Sequence, residues 1–476
     1  MIFVQMWAIA CKDPMAEDEE YDSLLHDPTF SGPALRRWQR EALDSWEDNS
    51  YRGVVEAITG TGKSLVGVAA IHKTVVISGG KALLVVPTRA LLEQWSREIT
   101  RMLPTVRVGK LTSGFADSFA SFDVLIATVQ TACKVPPIPT SLGLLIADEV
   151  HRYGSEQFSK VMHPRYQRRL GLTGTFERQL DDGVERYLLP YFEAVTTSYG
   201  YGAALSEGVV ARFNLALVAA EFDSSEQRQY TDATERCSDA MKDLVDRYLY
   251  PSDWPQFFAA VTQQLKQETC RDEESDLCSK YLGGFAERRR LTAEAGSKER
   301  FVEQIAGSLG QFSGSLVFTE TKDSARRLGW LINKVTPAFP LTSDSSSTER
   351  EDKLRGFSAG RIKVLCAPRI LDEGIDVPEA ELAVIVAASK TARQMIQRMG
   401  RVIRLKKDGR SARILMLYIQ GTGEDPDMGG HESFLNLVRP FASTEMRTTV
   451  KSSAEVLQWL SADADVDGGL VDAFVS

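Results

Sequence analysis

Three short runs in this 476-residue chain combine residue types and spacings that can do phosphate chemistry. The first is Ala57-Ile58-Thr59-Gly60-Thr61-Gly62-Lys63-Ser64. Glycines let backbone N–H groups face an anion, a lysine places a point charge on β- and γ-phosphates, and a serine hydroxyl can ligate Mg²⁺. Thr59, Gly60, Thr61, Gly62, Lys63 and Ser64 are therefore candidate nucleotide-binding residues, with Ser64 also a metal ligand; Ala57 stands where the general pattern has its first glycine. The second run, Asp148-Glu149-Val150-His151, closes an apolar stretch. Asp148 is the candidate Mg²⁺ carboxylate, acting through water, and Glu149 the carboxylate that orients or deprotonates an attacking water. The third, Gln397-Arg398-Met399-Gly400-Arg401-Val402-Ile403-Arg404, can bring arginines to a γ-phosphate from a separate domain.

Those residues need rigid elements to hold them. The runs Gly53-Val54-Val55-Glu56-Ala57, Ala82-Leu83-Leu84-Val85-Val86, Val124-Leu125-Ile126-Ala127 and Leu144-Leu145-Ile146-Ala147 are continuous rather than alternating. Strands buried on both faces of a parallel sheet read this way. Between them lie helical stretches, so residues 33–222 are expected to form one α/β domain that binds the nucleotide. A second set of strands, including Leu316-Val317-Phe318, Leu382-Ala383-Val384-Ile385-Val386 and Ile414-Leu415-Met416-Leu417-Tyr418, places a similar domain at residues 301–425. Residues 223–300 carry apolar side chains at steps of three and four, from Tyr230 to Tyr248, and are expected to be a helical insert. The insert either packs on the second lobe or forms a thumb lined by Arg288, Arg289 and Arg290. Residues 1–32 read as an N-terminal arm, and 426–476 as a helix and a tail.

Composition limits the classes open to the chain. It is 43% apolar and 25% charged, as soluble globular proteins are, and no uncharged apolar run approaches the ~20 residues that span a bilayer, so no membrane is expected. Six scattered cysteines without a CxxC pair suggest neither a disulfide framework nor a zinc site, and a cytoplasmic location is expected. A net charge of -9 argues against a generally basic nucleic-acid binder, although a motor needs only a local positive track.

Taken together, the three runs resemble those of superfamily 2 helicases, in particular the DEAH/DEVH branch that includes the XPB-like DNA helicases. The resemblance extends over residues 35–418. It implies an α/β fold of two RecA-like parallel-sheet P-loop NTPase domains, with ATP and Mg²⁺ as cofactors. It makes Gln39, in Leu35-Arg36-Arg37-Trp38-Gln39, the reader of adenine. Pro87, Thr88 and Arg89, together with Thr128, become strand contacts of the first lobe, and Thr319 and Gly374 those of the second. Thr173 and Thr175 form a coupling motif; His151 is either a coupler between hydrolysis and the strand or a packing residue. Asp376 would approach the ribose or the catalytic water, Arg401 and Arg404 would be the γ-phosphate arginines, and Gln397 would link them to the catalytic core.

The chain also departs from the XPB-like pattern. Its Arg350-Glu351-Asp352 falls in the second lobe, where those proteins carry such an element in the first, so no role is transferred to it. A long N-terminal damage-recognition region is not expected either, since about 30 residues precede the first motif. The reading is a nucleic-acid helicase or translocase, non-sequence-specific, with DNA favoured over RNA and 3′ to 5′ movement. Its rivals are an RNA-stimulated remodelling ATPase and a non-unwinding ATPase clamp that recruits a nuclease within a defence or repair assembly.

Overall fold

The computed structural model describes residues 27–176, 182–210, 212–265, 272–342, 344–368, 380–387 and 411–462. They fall into two compact units, Met1–Gly200 and Tyr201–Ser476. The first is built on eight strands, β1 (Arg52–Ala57), β2 (Lys81–Val86), β3 (Val108–Thr112), β4 (Phe115–Ala116), β5 (Val124–Thr128), β6 (Gly143–Asp148), β7 (Arg168–Thr173) and β8 (Val195–Tyr199). Their order across the sheet is β4-β3-β5-β2-β6-β7-β1-β8, and every pairing except the short β3–β4 hairpin is parallel.

β2 and β5 show why the apolar runs are continuous. Leu83, Leu84, Val85, Leu125 and Ile126 are fully buried, because helices cover both faces of the sheet. Each such side chain stabilises the fold by roughly 1.5–3 kcal/mol relative to exposure. The upstream helix Arg37–Asp48 docks through Trp38 and Trp46, the former stacked on Tyr199 at 4.6 Å and the latter donating to the Arg169 carbonyl at 2.9 Å.

The second unit holds a seven-stranded, all-parallel sheet in the order β11-β12-β10-β13-β14-β9-β15, comprising β9 (Phe213–Ala220), β10 (Ser315–Phe318), β11 (Ala338–Pro340), β12 (Val364–Ala367), β13 (Leu382–Ile385), β14 (Ala412–Ile419) and β15 (Ala442–Thr449). Two boundaries therefore differ from expectation. Residues 213–220, assigned above to the first domain, pair with β14 and β15. A doubly buried apolar run fits either sheet equally well, and its periodicity does not say which. The C-terminal segment, expected as helix and tail, contributes β15, whose mostly exposed side chains leave no alternating apolar signal. The helix Ser453–Ser461 then packs Val456 and Leu460 into the core.

Three helices form the insert: Ser224–Tyr248, Trp254–Gln264 and Glu273–Glu294. They have their own core of Cys237, Leu244, Phe257, Val261, Cys278 and Tyr281. Asp223 starts the first helix by accepting from the Ser225 and Glu226 amides. The arginines offered as a thumb lining are engaged locally. Arg288 lies over the Tyr230 ring at 5.3 Å, Arg289 pairs with Glu320, and Arg290 faces Glu294 at 3.8 Å. The next helix, Gly296–Leu309, belongs to the second-lobe core through Phe301, Val302 and Ile305, so the expected boundary at residue 300 falls inside it. No described helix is long and apolar enough to cross a membrane.

Candidate nucleotide site and strand-contact patch

β1 ends at Ala57, and the chain turns through Gly60 and Gly62, both at φ 94°, before the helix Lys63–Ile71. This left-handed backbone is strained for any residue with a Cβ, which is why glycine occupies both positions. Thr61 donates to the Ile58 carbonyl at 2.8 Å, and the Lys63 ammonium donates to the Ala57 carbonyl at 2.5 Å. Gln39 is 2% exposed against this loop; its amide donates to the Gly62 carbonyl at 3.0 Å and accepts from the Arg36 amide at 2.8 Å. The Thr59 hydroxyl is buried and has no hydrogen-bond partner among the described residues. A buried hydroxyl left unpaired is costly, and at the mouth of a phosphate-shaped loop it fits a ligand that supplies the missing partner.

β7 lies between β1 and β6. The coupling residues that follow β7 are therefore interposed between the phosphate loop and the acidic pair. A Cβ at Gly174 would lie in ordinary contact, 3.5 Å from the Thr59 hydroxyl and 3.9 Å from the Lys63 ammonium, which places this turn directly beside the phosphate loop.

Asp148 closes β6. Its Oδ2 accepts from the Trp95 indole at 2.8 Å, and its Oδ1 accepts from the Glu149 amide at 3.1 Å. Burial and then the Glu149 charge push its carboxyl up to about 7, while the Trp95 hydrogen bond and the Lys63 charge act the other way. Two adjacent half-buried carboxylates form a donor set that a divalent cation would relieve, and each Asp148 oxygen keeps a second lone pair. Together with Ser64 this fits Mg²⁺ at the loop.

Glu149 adopts φ 54° and ψ 48°, unusual for a residue with a side chain. Such strain, of order 1–3 kcal/mol, is typically retained where geometry serves a function. Its Oε2 lies 3.4 Å from His151 Nδ1, and that nitrogen is 2.9 Å from the Thr173 hydroxyl. Thr173 donates its own hydrogen to the Thr175 carbonyl at 2.7 Å. With that hydrogen spent, Nδ1 of His151 carries the proton and donates. The acidic motif and the coupling motif thus both lie against one imidazole.

The first-lobe strand residues also converge. Thr88 caps the helix Arg89–Met102 by accepting from the Leu91 amide at 3.3 Å. The exposed Arg89 donates to the Ser113 carbonyl at 2.6 Å, Thr128 lies 3.4 Å from Thr112 and 3.0 Å from Thr131, and Gln130 donates to the Pro87 carbonyl at 3.3 Å. Hydroxyl, guanidinium and amide groups in one patch suit phosphates rather than base edges.

Thr319 differs. It is 1% exposed and donates to the Thr321 carbonyl at 3.0 Å, so its hydroxyl is spent inside the turn after β10. Gly374, Asp376, Gln397, Arg401 and Arg404 lie outside the described residues. Sequence reasoning did not single out Trp95, whose apolar helical spacing marks it only as a core aromatic.

Comparisons with known proteins place the chain beside helicases. Residues 33–178 match the family described as type III restriction enzyme, res subunit, and residues 297–406 match the helicase conserved C-terminal domain. The chain is 28% identical over 417 residues to the DNA 3'-5' translocase XPB2 of Sulfurisphaera tokodaii, covering 87% of this chain and 88% of that protein. It is 25% identical to the DNA 3'-5' helicase XPB of Kineococcus radiotolerans, covering 94% of this chain and 68% of the relative. It matches the putative DNA 3'-5' helicase Rad25 of Halobacterium salinarum at 27% identity, spanning 55% of its length. Among solved structures, Dbp5 of S. cerevisiae bound to RNA and ADP BeF3 superposes with a TM-score of 0.56 at 15% identity, covering 89% of this chain and 92% of that one, which speaks to fold alone.

Proposed function

We infer, for a chain that belongs to the superfamily 2 helicases with its similarity running to the XPB-like branch, that it is an ATP-dependent DNA helicase or translocase moving 3′ to 5′. The observation that carries this reading is the alignment, at the ends of adjacent strands β1, β7 and β6, of the Lys63 loop, the Thr173–Thr175 turn and the Asp148-Glu149 pair, with His151 hydrogen-bonded to Thr173 and 3.4 Å from Glu149. Lys63 and the loop amides would hold the β- and γ-phosphates, Ser64 and Asp148 would hold Mg²⁺, and Glu149 would take the proton of the attacking water. The metal, when bound, neutralises charge on the phosphates. Gln39 would read the base.

The deciding experiment is ATP turnover measured with single-stranded DNA and RNA of equal length, beside strand displacement on a duplex with a 3′ tail. Turnover stimulated by DNA, with displacement, supports the reading. Stimulation by RNA alone, or DNA-stimulated turnover without displacement or translocation, would replace it with a remodelling ATPase or a clamp respectively.

Two substitutions probe the track and the coupling. Arg89→Ala should weaken DNA binding about equally for all sequences, and should reduce the slope of log affinity against log salt by about 0.7, the value for one phosphate contact on a single strand. Binding titrations at several salt concentrations check this; an unchanged slope removes Arg89 from the track. His151→Ala breaks the bridge from Glu149 to Thr173, so displacement should fall more than DNA-stimulated hydrolysis. Parallel assays of both activities check it, and equal losses would return His151 to a packing role.

A further inference from the structure

We propose that Trp95 is a positioning residue for the magnesium carboxylate, tying Asp148 to the helix whose first turn carries the strand-contact residues. The proposal rests on the assignment of Asp148 to the metal. Trp95 is 3% exposed on the helix Arg89–Met102, and its indole N–H donates to Asp148 Oδ2 at 2.8 Å. An indole nitrogen only donates, so it favours a carboxylate in one orientation. The Glu149 amide holds the other oxygen at 3.1 Å, and the two bonds together fix the rotation of the carboxylate while leaving lone pairs for a cation.

The ring is itself wedged. A Cβ at Gly67, on the helix that begins with Lys63, would lie 2.7 Å from one indole carbon and 3.3 Å from another. The phosphate-loop helix therefore meets the indole through a face that has no side chain. Along its own helix, Trp95 stands six residues after Arg89, roughly 9 Å at 1.5 Å per residue, and Arg89 holds the Ser113 carbonyl at the opposite end of that span. One rigid element thus joins the patch that would meet a DNA backbone to the carboxylate that would meet the metal. A shift of the helix on strand binding would be passed to Asp148 through a directional bond.

Trp95→Phe removes the donor but keeps an aromatic ring; it also vacates the space beside Gly67 that the outer indole carbons fill, so some loss of stability accompanies it. Partners that orient metal ligands typically contribute about 10- to 100-fold in metal affinity or activity. The expected result is a weakening of that size in Mn²⁺ binding to the protein–ADP complex, read by electron paramagnetic resonance at a temperature where thermal unfolding shows the variant folded, with metal-free ADP affinity near wild type. Turnover should fall in kcat more than in KM, and the stimulation ratio by DNA should fall with it.

Ile99→Val, buried on the same helix, should lower stability without moving Mn²⁺ affinity. If Trp95→Phe does not fold, Gly67→Ala pushes on the ring while keeping its donor, and should weaken Mn²⁺ binding at constant metal-free ADP affinity. Wild-type Mn²⁺ affinity in whichever of these variants folds, with Asp148→Asn still defective, overturns the role of Trp95. Wild-type Mn²⁺ binding in Asp148→Asn instead overturns the assignment of Asp148 on which it depends.

Discussion

Glu149→Gln is expected to lose hydrolysis by about 10²- to 10⁴-fold, the contribution of a positioned general base, while still binding ATP. The amide has the same shape, and the hydrogen bond between His151 Nδ1 and the Thr173 hydroxyl does not depend on the Glu149 charge, so that link survives. What is lost is the capacity to take a proton from water. Removing this charge also relieves Asp148, whose carboxyl the Glu149 charge helps to push up. Nucleotide affinity should therefore be retained or improved. With the chemical step blocked, ATP should persist on the protein, and tight DNA binding should become ATP-dependent. Single-turnover hydrolysis, beside DNA titrations with and without ATP, measures both. A variant that neither binds ATP nor responds to it would assign Glu149 a structural role, as the strained turn from β6 into the segment Val150–Tyr153 would then suggest.

Arg404→Ala is expected to bind ATP and yet lose about 10³- to 10⁵-fold of DNA-stimulated turnover, as removal of a transition-state arginine does. Charge redistributes over the equatorial and leaving oxygens in the transition state, so a cation aimed there acts most strongly at that point and contributes little to ground-state affinity. Lys63, Asp148 and Glu149 belong to the first unit and Arg404, by sequence, to the second. Hydrolysis would thus require both units, and DNA would stimulate it by favouring the arrangement in which they act together. Equilibrium binding of a fluorescent nucleotide separates affinity from turnover. Full stimulated turnover in both Arg401→Ala and Arg404→Ala would reject a two-lobe mechanism.

Both predictions start from motifs that contiguity alone makes legible. The phosphate loop and the Asp148-Glu149 pair are each confined to a few consecutive residues following an apolar strand, and a strand end followed by glycines can be recognised without knowing what packs beside it. Two parallel α/β domains with a helical insert were equally readable, since continuous apolar runs and steps of three and four are properties of single segments.

Tertiary structure decided what those segments meet. Trp95 and Asp148 are 53 residues apart, and His151 and Thr173 are 22 apart; only the order of strands across the sheet brings each pair together. Periodicity shows that a face is buried but not which partner buries it. For the same reason Phe213–Ala220 looked like part of the first domain and lies in the second sheet, and the polar edge strand Ala442–Thr449 gave no signal of pairing. Arg288 and Arg289 could be read as free cations until Tyr230 and Glu320 were seen beside them, and the Thr319 hydroxyl as a contact until burial placed it inside its own turn. Residue type and local spacing determine what chemistry is available, because they are short-range properties of the chain; which donors and charges orient that chemistry depends on contacts that exist only after the sheets have closed.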